Sequence, residues 1–204
     1  MKDFIHGIYK ITGKILCAFH LFFSEIKKKI SPVKETSILF VAHPDDDVLF
    51  FNRVMKTEKP YVVLLTTGFS IIRIREFRKA MKHYGLHYNY HMLETRDERE
   101  DKLAKIIKKE MKSGSFEKCF THSPLGEYGH VMHQRIGRVV PENVDCRVFT
   151  TVSADEIDCA ENELSEEEKE EKIGIFNDIY SSQDFVLELY SQWVTHEKIR
   201  EAQK

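Results

Sequence analysis

The chain has 204 residues, of which 42% are hydrophobic and 31% are charged, and its formal net charge at pH 7 is −2. That length supports one domain with a substantial hydrophobic core but not two full ones. A net charge so close to zero gives no reason to expect nucleic acid as a partner. The four cysteines include no CxxC pair, which argues against a disulfide framework and fits the reducing conditions of the cytoplasm.

Residues 1–32 are predicted to form an amphipathic helical arm that precedes the domain. The longest apolar stretch of the arm, residues 15–23, is interrupted by a histidine and is too short to cross a bilayer, which takes about 20 apolar residues. Two interpretations stay open. The arm packs on the domain or on another protein, or residues 1–30 make a peripheral contact with the inner face of the membrane through lysines and phenylalanines.

After this arm, short apolar runs alternate with segments of helical periodicity. The runs SILFVAH (37–43) and YVVLLTTG (61–68) are continuous and apolar, as expected of strands buried on both faces. RIREFRKAMKHYG (73–85) places its apolar residues on one helical stripe and ends in glycine. Further strands are predicted over residues 86–93, 116–123 and 146–152, and further helices over residues 97–112, 131–140, 165–180 and 182–199.

Strands that alternate with helices form right-handed βαβ units and a parallel sheet. We therefore predict that residues 33–204 form a single α/β domain with a Rossmann-like, doubly wound, mainly parallel sheet flanked by helices. Ligands of such sheets bind at the carboxyl ends of the strands. Two polar segments follow such ends: HPDDD (43–47) after the first strand, and THSPLGEYGH (121–130) after the fourth.

These two segments carry the residue types of a metal site. His130 and His133 are three positions apart, so on a helix both can face one site. Two histidines and an aspartate are a typical set for catalytic zinc, which leaves one position for water and lowers the pKa of that water to about 7. A neighbouring carboxylate can then act as general base. A magnesium site of the phosphate-receiver type also begins with paired aspartates after a first strand, so residue chemistry leaves both metals open.

Some of these residues have ordinary structural explanations. Asp47 would lie in the first turn of a helix, where an acid interacts favourably with the helix dipole. His122, at the end of the fourth strand, is a candidate for orienting the following loop. The other histidines are interpreted as surface or satisfied residues: His6, His83, His87, His91 and His196.

AHPDDD (42–47) followed by GHVMH (129–133) resembles the PIG-L/LmbE-like family of zinc-dependent N-acetylglucosaminyl deacetylases, whose pattern is AHPDDE followed by HxxH. The resemblance runs from about Ser37 to about Gln183. It includes an Arg, a Glu and an Ala at fixed spacing and a C-terminal Tyr-x-Ser-Gln signature. These are matched here by Arg73, Glu76 and Ala80, and by IYSSQ (179–183).

The resemblance implies a role for each matched position. It implies one Zn²⁺ per chain, with the ligands His43, Asp46 and His133. It implies Asp45 as general base toward the water at the metal. It implies His130 as the group that stabilises the oxyanion or protonates the leaving amine, with Arg73 as a candidate substrate contact.

The implied reaction is hydrolysis of the N-acetyl group of an N-acetylglucosamine-type amino sugar in a glycan, glycolipid or glycoconjugate precursor, giving acetate and a free amine. Two alternatives remain: a non-catalytic sugar-binding or envelope-scaffold member of the same fold, and a zinc amidase acting on a non-sugar amide. One position departs from the family pattern, because Asp47 stands where the family has Glu. A carboxylate shorter by one methylene could weaken metal binding if it supports a ligand.

Overall fold

A computed structural model describes residues 33–93, 99–157 and 160–202. The predicted N-terminal arm, residues 1–32, therefore lies outside the described residues. Within the described ranges, no helix combines the length and apolar character needed to cross a bilayer.

A six-stranded sheet forms the centre of the domain, in the order β3-β2-β1-β4-β5-β6. The first five strands pair in parallel, and β6 is antiparallel to β5. The α/β, Rossmann-like, mainly parallel fold predicted from the sequence is thus confirmed. The strands are β1 (Ser37–Val41), β2 (Tyr61–Thr66), β3 (Tyr88–Leu93), β4 (Lys118–Thr121), β5 (Arg147–Thr151) and β6 (Ile199–Glu201).

Helices cover both faces of this sheet. They are α1 (Asp46–Thr57), α2 (Ile71–Tyr84), α3 (Glu100–Met111), α4 (Val131–Val139), α5 (Ala154–Ile157), α6 (Glu166–Asp178), α7 (Phe185–Leu189) and α8 (Ser191–Thr195). Short 3-10 turns lie at Pro141–Asn143, Ala160–Asn162 and Ser181–Gln183.

Strand β1 is buried on both sides, which explains its unbroken apolar sequence. Successive side chains of a strand point to opposite faces. Leu39 and Val41 belong to one core with α1, α2 and the C-terminal helices. Ile38 and Phe40 belong to a second core with α3 and α4.

The strand order reverses at β1, with β2 and β3 on one side and β4 and β5 on the other. In doubly wound sheets such a reversal opens a crevice at the carboxyl ends of the two central strands. Residues 43–47 leave β1 at this point and residues 122–130 leave β4 there. The topology therefore brings together the two polar segments singled out in the sequence.

A buried ion pair stabilises a kink in α1, next to the site. Phe51, with φ −132° and ψ 21°, leaves the helical range. Lys172 Nζ donates to the carbonyl of Leu49 at 3.0 Å, and Glu197 Oε1 accepts from the backbone N–H of Arg53 at 2.9 Å. A regular helix would pair these two backbone groups with each other. Lys172 and Glu197 lie 3.5 Å apart and are both buried, so the pair replaces the hydrogen bond that the kink removes.

The prediction of one helix over residues 182–199 is wrong. This stretch contains a 3-10 turn and the short helices α7 and α8, and it then enters β6. Tyr190, between the two helices, has φ −123° and ψ 40°. Its ring stacks on Tyr128 with 4.1 Å between centroids. This tertiary contact, which helical periodicity does not reveal, accompanies the break. Boundaries elsewhere shift by two or three residues, as for β3 and α3.

Candidate metal centre

Asp45, Asp46 and Asp47 form the junction between β1 and α1. Asp45 is the N-cap residue and has φ 105°, a left-handed conformation that costs a non-glycine residue about 1–3 kcal/mol. Asp46 and Asp47 lie in the first turn of α1. In chain order the three aspartates are 6%, 3% and 0% exposed, so each carboxyl needs a partner inside the protein.

His43, Asp46 and His133 place three donor atoms at the corners of a nearly equilateral triangle. His43 Nδ1 lies 3.2 Å from His133 Nε2. Asp46 Oδ2 lies 3.3 Å from each of these nitrogens. The three residues that the resemblance implied as ligands are therefore in mutual contact, although they come from the end of β1, the start of α1 and the first turn of α4.

The triangle has the size that a metal site requires. Donors at about 2.0–2.1 Å from a tetrahedral zinc ion are separated from one another by about 3.3 Å. Two imidazole nitrogens and one carboxylate oxygen suit zinc, whereas Mg²⁺ prefers oxygen ligands. The buried His/Asp triad can thus bind a metal ion, and its donor chemistry favours zinc over the magnesium alternative.

His122 lies close to this triangle, but its lone pair is already engaged. Its ligand atom and those of Asp46 and His133 fall within 4.8 Å of one another. His122 Nε2, however, accepts a hydrogen bond from the backbone N–H of Ala42 at 3.0 Å. The ring proton must then be on Nδ1, which donates to Glu127 at 2.8 Å. This geometry suits His122 to supporting the site and not to binding the metal directly.

Glu127, which was not identified from the sequence, is hydrogen-bonded to both buried histidines, His122 and His133. Its Oε2 accepts from His133 Nδ1 at 2.6 Å. That bond fixes the tautomer of His133 and turns the Nε2 lone pair toward the triangle. Its Oε1 takes hydrogen bonds from His122, from the Thr151 hydroxyl and from the backbone N–H of Ser123. Because metal-binding histidines commonly have a carboxylate partner, an acid in the loop THSPLGEYGH was the available signal.

The charges around the triangle favour a cation at its centre. Burial alone would raise the pKa of Asp46, but His133 and His43 outweigh it and hold that pKa well below its ordinary value. Burial lowers the pKa of His133, but the carboxylates of Asp46 and Glu127 outweigh it and raise the pKa to about 10. The same negative field that retains a proton on His133 attracts a metal ion, which competes with that proton.

Comparison with known proteins establishes the fold and leaves the chemistry open. No protein-family model and no curated protein matches the sequence. The structure is similar to the crystal structure of GalB, the 4-carboxy-2-hydroxymuconate hydratase from Pseudomonas putida KT2440, with a TM-score of 0.59. The sequence identity is 12%, over 78% of this chain and 83% of that chain. A similarity at this identity supports the shared fold alone.

Asp45 lies beside the triangle, and Arg73 holds it. Arg73 Nη2, from the first turn of α2, donates to Asp45 Oδ1 at 3.0 Å and to the carbonyl of Pro44 at 2.7 Å. Burial and the neighbouring carboxylate of Asp46 raise the pKa of Asp45 well above its ordinary value, against the opposing charge of Arg73. Arg73 also lines the adjoining cavity, but these two bonds direct its guanidinium first to Asp45. A substrate contact by Arg73 stays a prediction.

Asp47 is fully buried and bonded to the C-terminal signature. Tyr180 Oη lies 2.8 Å and 2.9 Å from its two carboxyl oxygens, and the backbone N–H of Asp45 donates to its Oδ1 at 3.1 Å. Burial raises the pKa of Asp47 to about 7 even though both donors favour the carboxylate. The donor of the second bond, the backbone N–H of Asp45, belongs to the residue whose backbone is strained. Asp47 therefore braces Asp45 and makes no direct contact with the triangle's donor atoms.

A second pair fastens the same C-terminal signature to α2. Glu76 accepts from the backbone N–H of Ser182 at 2.9 Å and from its hydroxyl at 2.6 Å. Glu76 lies one turn after Arg73 on α2. The segment that begins at Tyr180 is thus tied both to the aspartates and to the helix that carries their arginine.

His130 lies at the mouth of the site as the N-cap of α4. Its Nδ1 accepts from the backbone N–H of Met132 at 3.3 Å, so the ring proton of the neutral form is on Nε2. Burial, together with the positive charges that His133 and His43 can carry, lowers its pKa to about 4. At neutral pH His130 is therefore an uncharged N–H donor. Its ring lies 4.7 Å from that of His43, centroid to centroid.

A cavity of about 750 Å³ opens beside these groups. This volume is typical of sites for small molecules. The polar and charged residues of its lining include His43, Asp45, His130 and Arg135. Apolar and aromatic residues of α1, α4, α7 and the flanking loops make up much of the remaining lining.

Proposed function

We propose that the protein is a zinc-dependent hydrolase that removes the N-acetyl group from an N-acetylglucosamine-type amino sugar. The observation that carries the proposal is the metal-sized triangle with a braced carboxylate, Asp45, beside it. The choice of an N-acetyl sugar as substrate comes from the motif resemblance, because the geometry by itself specifies only a metal-assisted attack by water.

The chain's own residues divide the work of amide hydrolysis. A Zn²⁺ ion held by His43, Asp46 and His133 would polarise the acetyl carbonyl and lower the pKa of water. Asp45 accepts the proton of the attacking water on Oδ2, because Oδ1 is bonded to Arg73. As the water oxygen bonds to the acetyl carbon and the C–N bond breaks, Asp45 returns this proton to the leaving nitrogen. The products are acetate and a free amine.

His130 is assigned to the charge that develops on the acetyl oxygen. Its Nδ1 accepts from the backbone of α4, so Nε2–H is the atom available as a donor, and a ring nitrogen of His130 lies within 4.8 Å of ring nitrogens of His43 and His133. A positioned neutral donor stabilises an oxyanion without transferring its proton. Of the two roles that the resemblance implies for His130, this geometry supports the oxyanion role over protonation of the amine.

The test combines metal content with turnover. The purified full-length chain should contain one zinc per chain by elemental analysis and should release acetate from at least one member of a panel of N-acetylglucosamine glycosides. Asp45→Asn should lower kcat by about 10²–10⁴-fold and keep the zinc. The control Asp101→Asn, at an exposed acid of α3, should change neither. Zinc-loaded protein that hydrolyses no sugar amide would refute the proposal, and loss of zinc from Asp45→Asn would mean that the base and ligand roles are exchanged.

A second candidate reaction uses the same groups. GalB, which is a hydratase, shares the fold, and a metal-assisted water with a carboxylate base can add to a carbon–carbon double bond as well as to an amide. Arg135, three positions after Met132 on α4, lines the cavity, and a guanidinium matches a substrate carboxylate. Loss of ultraviolet absorbance from an unsaturated dicarboxylate, without acetate release from any sugar, would favour this reaction.

The remaining alternatives are separated by the same measurements. Substoichiometric zinc in fresh protein favours a non-catalytic sugar-binding or scaffold role, and activity on simple amides alone favours a non-sugar amidase. We also propose a cytoplasmic location, with peripheral membrane contact through residues 1–30. Co-sedimentation with anionic liposomes should be lost when residues 1–30 are removed, and equal pelleting of both chains would contradict this contact.

A further inference from the structure

The cavity is larger than one amino sugar at the metal would require, and about half of its lining is apolar. Six apolar or aromatic side chains, next to the polar Arg135 and Gln183, form what we call the apolar wall: Leu49, Tyr128, Val131, Phe185, Val186 and Tyr190. We propose that this apolar wall is a subsite for an apolar aglycone, an aryl or alkyl group carried by the amino sugar. The inference rests on the proposed function, whose substrate class it narrows.

Two residues of the wall expose apolar surface toward the space that a ligand would fill. Phe185 is 54% exposed and Val131 is 62% exposed. Val131 directly follows His130, the proposed oxyanion donor, so the apolar wall begins next to the reaction centre. Large exposed apolar side chains that line a cavity are typical of binding sites.

The wall is built on fixed supports. Val186, beside Phe185 on α7, is 4% exposed and belongs to the main core. Tyr190 stacks on Tyr128 with an interplanar angle of 24°. The signature segment just before α7 is held through Tyr180 and Ser182, as described above. A wall held in this way can select a ligand without being reorganised first, which lowers the cost of binding.

An apolar aglycone fits this wall better than a second sugar does. A sugar ring presents several hydroxyl groups that need hydrogen-bond partners when they are buried. The polar side chains beside the wall already have partners: the amide nitrogen of Gln183 donates to the carbonyl and hydroxyl of Ser182, and Arg135 Nε lies 3.8 Å from a carboxylate oxygen of Glu100. An aryl or alkyl group has no such requirement and gains by covering Phe185 and Val131.

The test compares three substrates with the zinc-loaded full-length chain: the methyl and phenyl glycosides of N-acetylglucosamine, and its β-1,4-linked disaccharide. We expect the phenyl glycoside to have a KM about tenfold below that of the methyl glycoside, from the burial of one aromatic ring. Phe185→Ala should remove most of this difference. Leu189→Ala, at a residue of α7 that is 63% exposed and outside the cavity lining, should keep it. Equal KM values for the two glycosides, or a preference for the disaccharide, would overturn the inference.

Binding to Asp45→Asn, measured by calorimetry, separates this inference from the proposed function. About tenfold tighter binding of the phenyl glycoside, lost on adding Phe185→Ala, supports the apolar subsite even if no glycoside is hydrolysed. Hydrolysis of all three substrates without any phenyl preference in binding or KM overturns the subsite and leaves the deacetylase standing. Neither hydrolysis nor a phenyl preference overturns both.

Discussion

Removing the Tyr180 hydroxyl tests whether Asp47 acts through Asp45 or through the metal. In Tyr180→Phe the ring keeps its packing against Phe176, but the buried Asp47 carboxyl loses the donor that lies 2.8 Å and 2.9 Å from its oxygens. Asp47 is then held chiefly by the backbone N–H of Asp45 at 3.1 Å. We expect the carboxyl to shift and the strained backbone of Asp45, at φ 105°, to relax with it.

The size of the effect follows from the contacts. Leaving a buried carboxyl without its donor costs about 1–3 kcal/mol. At about 2–4 °C per kcal/mol for a domain of this length, the melting temperature should fall by roughly 2–12 °C. Displacement of a general base by a fraction of an ångström lowers kcat by roughly tenfold or more. Zinc affinity should change by much less than the roughly tenfold or greater loss that follows removal of a ligand's own partner, because neither Tyr180 nor Asp47 touches a metal ligand's donor atom.

The assay measures thermal unfolding, acetate release and zinc affinity on the same preparations. Tyr61→Phe is the matched control, because Tyr61 is also a buried tyrosine whose hydroxyl donates to a buried carboxylate, that of Glu110, at 3.2 Å, and it lies in the other core. It should lose stability and keep kcat. Equal kcat in the two variants would contradict the proposal that Asp47, held by Tyr180, positions Asp45. A tenfold loss of zinc in Tyr180→Phe would show that Asp47 acts on the metal and not on Asp45.

Three further substitutions test the support of the metal site by Glu127, the ion pair at the kink of α1, and the dependence of stability on acid pH. Glu127→Gln should weaken zinc binding by about 10–100-fold, measured by competition with a chromophoric chelator, whereas Glu110→Gln, at a buried carboxylate of α3, should not. Lys172→Met should cost about 3–5 kcal/mol in urea denaturation because Glu197 is left buried without its cation, and a loss below about 1 kcal/mol would contradict this. Side-chain hydrogen bonds from an arginine of α1 lower the pKa of Glu168 to about 2. Since this lies below its unfolded-state value, the stabilisation is present above about pH 4.5 and is lost toward pH 2. Glu168→Gln should therefore flatten the acid limb of the stability curve, and an unchanged limb would contradict the assignment.

The central architecture was predictable because it depends on local patterns. Continuous short apolar runs such as residues 37–43 favour strands that are buried on both faces, and their alternation with helices favours parallel connections. In such a sheet the carboxyl ends of the parallel strands lie at one edge, and the observed strand order makes β1 and β4 neighbours there. The HxxH spacing then brings His130 and His133 to the same end of α4.

What could not be predicted depends on contacts between distant positions. Tyr180 and Asp47 are 133 positions apart, and only the folded chain shows that the signature tyrosine meets the third aspartate. Glu127 is one acid among the 33 Asp and Glu residues, and its importance comes from two histidines that meet it from different elements. Strand β6 was missed because a three-residue edge strand carries too little periodicity to compete with a helical pattern.

Three adjacent buried carboxyls are tolerated because each has a different kind of partner. Asp45 is paired with a guanidinium, Asp46 faces imidazoles and a metal-sized space, and Asp47 is hydrogen-bonded by a phenol and a backbone N–H. The repulsion expected from the sequence persists, since Asp46 raises the pKa of both neighbours, but each carboxyl has its own stabilising partner. The position that departs from the family pattern is accounted for in the same way. An aspartate at position 47 still reaches the Tyr180 hydroxyl, so the shorter side chain leaves its carboxyl bonded. The effect of having aspartate at position 47 should therefore appear in the positioning of Asp45. The paired measurements of kcat and zinc affinity on Tyr180→Phe test this expectation.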